Sequence, residues 1–481
     1  GIHYSLFNIR YLNPNSNLNS YIMQTQEKYD LCIIGGGPAG YAAAMRAVDF
    51  KKKVILVEMD KIGGAGIYNG ALTSKAMWEL SPIISTTRGW INRFMEEGDE
   101  KPRNFGMSYR EVMKIIDEAV FDRKYQLQCH LRLLQTDAYS KYFKYERGRG
   151  KLLSKNEVLI EKEKRSTTVY CDNIIIATGS APRLLPGLEV DERTILTSDG
   201  LSKLTDYPKS LVILGAGVIG CEFATIFSSF GKTKVYLIDK ANRILPFEDE
   251  DIAKTVTESF EMNGVVVHHD AKLERMEKVD GGVEYELSHS DGKREVIRAE
   301  KALLSVGRVP NLSNLGLEDT GIELNDRGKI AENDTQTNIP NIYAIGDVTA
   351  DIALVNVAEL EGRRAVEKMF GKSDKKITYE NISTIMFLNP EVASVGLGEQ
   401  MADAKGIPYR LVKIDFSCIA RAIAMRKTTG FFKILVTDDD EMKILGMRAV
   451  GEHASSAIQA VALLISMNKG IEELADLIHP H

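Results

Sequence analysis

One local pattern occurs twice in this chain, and it leaves few folds open. The apolar strand Leu31-Cys32-Ile33-Ile34 runs into Gly35-Gly36-Gly37-Pro38-Ala39-Gly40, and after a helical stretch the strand Val54–Val57 ends on Glu58. Further on, Leu211-Val212-Ile213-Leu214 runs into Gly215-x-Gly217-x-x-Gly220, and the strand Val235–Ile238 ends on Asp239. In each unit the first glycine permits the turn and the second lets backbone approach a pyrophosphate. The third lets helix and strand pack closely, with the helix N-terminus facing the phosphates. An acid about twenty residues on accepts ribose hydroxyls. A glycine turn alone is weak evidence, but strand, helix and acid in register make it strong.

Two such units predict a duplicated α/β architecture with one dinucleotide on each. Asp239 would repel a 2′-phosphate, so the second unit favours NAD over NADP, while Lys240 and Arg243 lie near enough to temper that preference. A second unit that packs without a ligand is the competing reading, because the same glycines also serve packing.

At 481 residues the chain has room for roughly three domains. A net charge of −6 gives no reason to expect nucleic acid as a partner. No run approaches the ~20 apolar residues that a membrane span needs. The five cysteines, Cys32, Cys129, Cys171, Cys221 and Cys418, are scattered without C-x-x-C or metal-ligand spacing, so no metal site is expected. Such usage fits a reducing compartment. Residues 1–26 contain no Asp or Glu and carry Arg10. They read either as the remains of an organellar, mitochondrial-type presequence or as a disordered arm.

Between and after the two units stand further motifs. Gly63-Gly64-Ala65-Gly66-Ile67-Tyr68-Asn69-Gly70-Ala71-Leu72-Thr73-Ser74-Lys75 follows the first. The strand Asn173–Ala177 leads to Thr178-Gly179-Ser180, and Leu303–Asn311 contains Gly307-Arg308. Thr337–Asp347 ends in Gly346-Asp347, and Phe387–Gly396 opens an α+β segment. This order resembles the two-cofactor flavoprotein disulfide reductases, most closely their dihydrolipoamide dehydrogenase branch, from Lys28 onward.

The resemblance implies an extension (1–26), an FAD-binding domain (27–180), an NAD-binding domain (181–307), a return to the first domain (308–375) and an interface domain (376–481). FAD would lie across Gly35, Gly37, Gly40, Glu58, Gly64, Lys75 and Gly179, with Asp347 on its ribitol. NAD would lie on Gly215, Gly217, Gly220, Asp239 and Gly307. A two-fold homodimer through residues 379–481 is implied as well.

In the family the stretch matching Gly63–Lys75 reads GGTCLNVGCIPSK, and its two cysteines form the redox disulfide. Here those positions hold Gly66 and Ala71, and Thr73 replaces proline. Only sulfur can attack, form a mixed disulfide and be reduced again, so exchange with disulfide substrates is not expected. Lys75 matches the lysine that approaches the flavin, and Glu222 its ion-pair partner. This pair is divided evenly between catalysis and structure. His481 falls on the family's catalytic histidine, an acid/base acting across the dimer; with no thiolate to serve, packing against the partner subunit is favoured. Asn356 also stands where the family has histidine.

Two functions follow from these expectations. One is an NADH-dependent flavin oxidoreductase of diaphorase or transhydrogenase type. The other is a non-catalytic structural or regulatory subunit of a mitochondrial assembly that keeps FAD for stability.

Overall fold

The structure, a computed structural model, describes residues 27–68, 70–94, 107–349, 352–371 and 373–477. The arm 1–26, the charged loop Gly98–Arg103 and His481 lie outside the described residues.

The first glycine unit forms β1 (Lys28–Ile34), α1 (Pro38–Asp49) and β2 (Val54–Glu58), with β1 and β2 parallel. Pro38 opens α1 where its fixed φ suits a helix and its missing N–H has no intrahelical partner to lose. The buried face of α1 is Ala39, Gly40, Ala43, Ala44, Ala47 and Val48, small side chains that let the helix lie close on the sheet. The chain continues through α2 (Gly64–Ile67), α3 (Ala71–Phe94) and α4 (Tyr109–Leu134). A capping box between Ser108 and Glu111 starts α4 and satisfies backbone donors that the helix itself leaves open.

Strands β3 (Phe143–Arg147), β4 (Arg149–Leu152), β5 (Glu157–Glu161) and β6 (Ser166–Ile176) complete the order β3-β2-β1-β6-β5-β4. The interior β1 and β2 are apolar and buried on both faces, as parallel strands covered on both sides must be.

The second unit follows β7 (Ser180–Pro182) and β8 (Ile195–Thr197). It comprises β9 (Ser210–Leu214), α5 (Val218–Phe230), β10 (Lys234–Ile238), α6 (Glu250–Met262) and β11 (Val266–His268). An antiparallel meander, β12 (Ala271–Val279), β13 (Gly282–His289) and β14 (Arg294–Ala299), then precedes β15 (Lys301–Leu304). The parallel order is β11-β10-β9-β15-β8. The meander lays Val283, Tyr285 and Leu287 against Val212, Leu214 and Ile238.

The chain then returns. β16 (Arg308–Pro310) pairs antiparallel with β7, and α7 (Leu317–Thr320) follows. β17 (Ile342–Ala344) adds to the first sheet beside β6. After the single turn Gly346–Val348, α8 (Val355–Phe370) packs on α1, where a Cβ at Gly362 would stand 2.4 Å from the Ala39 carbonyl oxygen.

The C-terminal part contains β18 (Thr384–Met386), β19 (Val392–Gly396), α9 (Glu399–Ala404), β20 (Tyr409–Asp415), α10 (Ala420–Met425), β21 (Phe431–Thr437) and β22 (Ile444–Val450). Its antiparallel order is β18-β19-β22-β21-β20, with α11 (Ala454–Ser466) on the inner face and α12 (Ile471–Ala475) after it. Two α/β dinucleotide-type units and one α+β unit thus make up the described residues. Among the described residues no helix is long and apolar enough to cross a membrane.

Ion pairs join the third part to the second. Lys433 is fully buried, and its Nζ lies 2.8 Å from Asp249, 2.8 Å from Asp251 and 2.5 Å from Glu399. These three carboxylates have the spacing of a metal site, but the lysine ammonium stands among them. Burial is the largest influence on Asp249 and Asp251 and raises both, yet Lys433's hydrogen bonds and charge, joined by the Gln400 and Glu399 amides on Asp249 and by Lys413 on Asp251, together hold both below the ordinary carboxylate range.

Candidate cofactor sites and the domain junction

The two glycine turns are built alike. Gly35 has φ +111° and Gly215 φ +101°, conformations open to glycine rather than to side chains. A Cβ on Gly40 would lie 1.9 Å from the Gly35 oxygen, and one on Gly220 the same distance from the Gly215 oxygen. The third glycine in each turn therefore closes helix onto strand. The middle glycines differ in kind, since a Cβ on Gly37 or Gly217 would meet nothing within 4 Å. That open space lies at the N-terminus of α1 or α5, where backbone N–H groups face outward, and it suits a diphosphate.

The acids are anchored identically too. Glu58 accepts from the Gly36 amide through Oε2 and from the Asp60 amide through Oε1, both at 2.7 Å. Asp239 accepts from the Ala216 amide through Oδ2 at 2.5 Å and from the Ala241 amide through Oδ1 at 2.8 Å. Each carboxylate oxygen keeps a lone pair for a ribose hydroxyl.

Arg243 behaves differently from its expected role beside Asp239. Its guanidinium donates to the carbonyls of Leu245 (3.3 Å), Pro246 (3.2 Å) and Glu248 (2.9 Å), so those donors are not free for a 2′-phosphate. Asp239 and Arg243 line one small cavity together with Val267, His268 and His269. The two histidines carry no motif and were not legible in the sequence. His268 stacks on Tyr236 with ring centroids 6.0 Å apart, and burial pulls its pKa below the ordinary value.

Around the first cradle, Gly64 comes close to the turn, since its Cβ would be 3.3 Å from the Gly37 Cα. Gly179 (φ +68°) and Gly307 (φ +102°) hold left-handed turns beside the paired strands β7 and β16. Asp347 follows β17 and accepts from Ser180 Oγ at 2.7 Å. Gly346 places it beside α1, where a Cβ on that glycine would stand 3.2 Å from the Ala39 Cβ. The open space at Gly37, the anchored Glu58 and the nearby Asp347 together fit an extended dinucleotide such as FAD.

Lys75 and Glu222 meet across the junction of the three parts. Lys75 Nζ on α3 lies 3.0 and 3.1 Å from the two Glu222 oxygens on α5. Glu222 Oε1 also accepts from the Phe387 amide at 3.3 Å, and the Lys75 ammonium sits 4.6 Å from the Phe387 ring centre. Trp78 continues the contact, donating from Nε1 to the Leu388 carbonyl at 3.1 Å.

Between cradle and junction lies the segment with Gly66 and Ala71. Gly66 ends no turn; it is helical, within α2, and a Cβ there would stand 2.7 Å from Pro38 Cγ. Thr73 Oγ1 donates to the Tyr68 carbonyl at 3.0 Å and ties the start of α3 to the end of α2. The cysteines are all free: Cys129 and Cys418 are exposed, and Cys32, Cys171 and Cys221 are buried. Burial, reinforced by Asp239 and Glu222, pushes the Cys221 thiol well up, so the cysteine beside Glu222 is held as a thiol.

Comparison with known proteins agrees with this architecture. Residues 29–362 match the family described as pyridine nucleotide-disulphide oxidoreductase, and residues 382–481 match its dimerisation domain. A dihydrolipoyl dehydrogenase of Bacillus subtilis is 34% identical over 468 residues, spanning 94% of this chain and 95% of that protein. The leghemoglobin reductase of Glycine max is 31% identical over 460 residues, spanning 95% of this chain and 85% of that one. Among solved structures, LpdA from Mycobacterium tuberculosis has a TM-score of 0.83 at 26% identity, covering 95% of this chain and 96% of its own. The chain is therefore a member of the pyridine nucleotide-disulphide oxidoreductase family, related to the dihydrolipoyl dehydrogenases, and that family's cofactors are FAD and a nicotinamide dinucleotide.

Proposed function

We propose that the chain is an NADH-dependent flavoprotein oxidoreductase that does not carry out dithiol–disulfide exchange. The observation that carries this reading is the pair Gly66 and Ala71, at the positions where the family's motif has cysteine. Gly66 has no side chain, and Pro38 Cγ lies 2.7 Å from where its Cβ would be. Neither residue can supply a thiolate, and Cys221, beside Glu222 on α5, is kept protonated by burial.

The remaining groups have work to do on this reading. The amides at the start of α1 and Glu58 would hold the nucleotide end of FAD, with Asp347 holding its polyol. The start of α5 and Asp239 would hold NADH. When bound, FAD supplies hydride acceptance from a nicotinamide and onward electron transfer. Lys75 would keep a positive charge at the junction, oriented by Glu222 and the Phe387 amide.

Anaerobic titration with NADH, followed at the flavin band, tests the proposal, with lipoamide and dye acceptors added afterwards. NADH bleaching without lipoamide turnover is expected, and lipoamide turnover by the unmodified chain refutes it. The second reading, a structural subunit that keeps FAD, draws support from the same Lys75–Glu222–Phe387 contact, which ties all three parts together without any turnover. Failure of NADH to bleach bound FAD favours that reading. A two-fold homodimer belongs to both, supported by exposed Val412 and Ile414 on β20 and Leu463 on α11. Sedimentation as a monomer at micromolar concentration refutes the dimer.

A further inference from the structure

We infer that Ser180 and Arg308 are positioning residues for Asp347, holding one of its carboxylate oxygens so that the other is presented to a cofactor hydroxyl. The inference rests on the reading of Asp347 as a residue that binds the polyol of FAD.

The geometry fixes the direction of every proton in the chain of contacts. Arg308 grips one residue twice, donating from Nε to Ser180 Oγ and from Nη2 to the Ser180 carbonyl, each at 2.7 Å. A guanidinium only donates, so Ser180 Oγ accepts there. Its own hydrogen is then directed to Asp347 Oδ2, 2.7 Å away. Among the described residues, Asp347 Oδ1 takes no hydrogen bond.

The frame behind these side chains is stiff. Arg308 and Ser180 stand on the antiparallel pair β16 and β7, with Arg308 opposite Pro182 and Pro310 opposite Ser180. Just beyond that pair, Thr178 Oγ1 donates to the Asn311 carbonyl at 2.8 Å and Asn311 Nδ2 donates to the Thr178 carbonyl at 3.0 Å. Asp347 is set from its own side, because the Gly346 amide donates to Glu361 Oε2 at 2.6 Å. The third guanidinium nitrogen, Nη1, lies 3.8 Å from Asp199, which helps keep the plane of Arg308 in line with Ser180. Neither Ser180 nor Arg308 belongs to the glycine cradles. Their contribution is to the orientation of a carboxylate that a flexible aspartate would otherwise have to order on binding.

The test uses the full chain stripped of flavin and titrated with two probes, FAD by fluorescence quenching and ADP by competition. ADP lacks the polyol, so it reports the cradle at Gly35–Gly40 and Glu58 without Asp347. Ser180→Ala and Arg308→Met should each raise the FAD dissociation constant about 10- to 100-fold, the range for a hydrogen bond to a charged group. The ADP constant should stay within about threefold. The double variant should be no weaker than the weaker single variant by more than about threefold, because the two residues act through one contact. Ser180→Thr, which keeps the hydroxyl, should bind FAD like the unmodified chain and guards against a simple folding defect.

Equal losses for FAD and ADP, or multiplying losses in the double variant, overturn the inference. If Asp347→Ala weakens FAD but Ser180→Ala does not, the inference falls and the reading of Asp347 stands. If Asp347→Ala leaves FAD binding unchanged, both fall.

Discussion

Removing either partner of the Lys75–Glu222 pair should destabilise the protein unequally, and the structure says which removal is worse. The Glu222 side chain is 6% exposed, whereas the Lys75 side chain is 32% exposed. Lys75→Met therefore strands a carboxylate where water hardly reaches it, with only the Phe387 amide still donating. Breaking a buried pair in this way costs about 3–5 kcal/mol, and the remaining amide argues for about 3. Glu222→Gln leaves the ammonium free to rehydrate over its exposed third, so about 1 kcal/mol is expected. At about 2–4 °C per kcal/mol for a domain of 150–250 residues, the midpoints should fall by about 6–12 °C and about 2–4 °C respectively. The double variant should fall less than the sum, since the second change removes the stranded charge. Thermal unfolding of the FAD-loaded chain by circular dichroism measures all three. Glu222→Gln destabilising as much as Lys75→Met, or strict additivity, would refute the reasoning.

The other predictions rest on separate parts of the fold. Gly66→Ala should lower stability by about 1–3 kcal/mol, because its Cβ would press on the Pro38 ring at 2.7 Å and a proline ring yields little. For the same reason Gly66→Cys with Ala71→Cys should not restore lipoamide turnover, and an unchanged melting midpoint for Gly66→Ala would contradict the packing argument. Burial lowers the pKa of His268, with Glu295 opposing and His289 and His269 adding to the shift. Below about pH 6.5 the unfolded chain then binds a proton that the native residue refuses, so this contribution falls as pH drops from 6.5. Unfolding midpoints between pH 7.5 and 5.5 should decline less in His268→Phe, and an identical decline would count against it. Lys433→Met should cost about 3–5 kcal/mol by leaving Asp249 and Glu399 without their cation and Asp251 with Lys413 alone, and urea unfolding that matches the unmodified chain would disprove it.

The sequence by itself determined the two strand–glycine–helix–strand units, because their signals are local. Turn glycines, apolar strands and a terminal acid fall within one stretch of chain, and backbone sterics leave them little choice. The pairing of Lys75 with Glu222 was legible only through resemblance, since 147 residues separate them and no local rule links them. What tertiary structure alone decided lies between segments distant in sequence. The meander from Ala271 to Ala299 is not legible as a unit: its outward Glu and Arg residues obscure a period-two pattern that shows its value only against Val212 and Ile238. Its place four residues past Asp239 predicts Arg243 as a counterweight to that acid, but three carbonyls of the following loop capture it. Ser180 and Arg308 stand in recognisable motifs without a legible role, and His268 in none, because each acquires its role from a partner on another strand. Local geometry is written in neighbouring residues; burial, charge pairing and the direction of a shared proton are set only when remote segments meet.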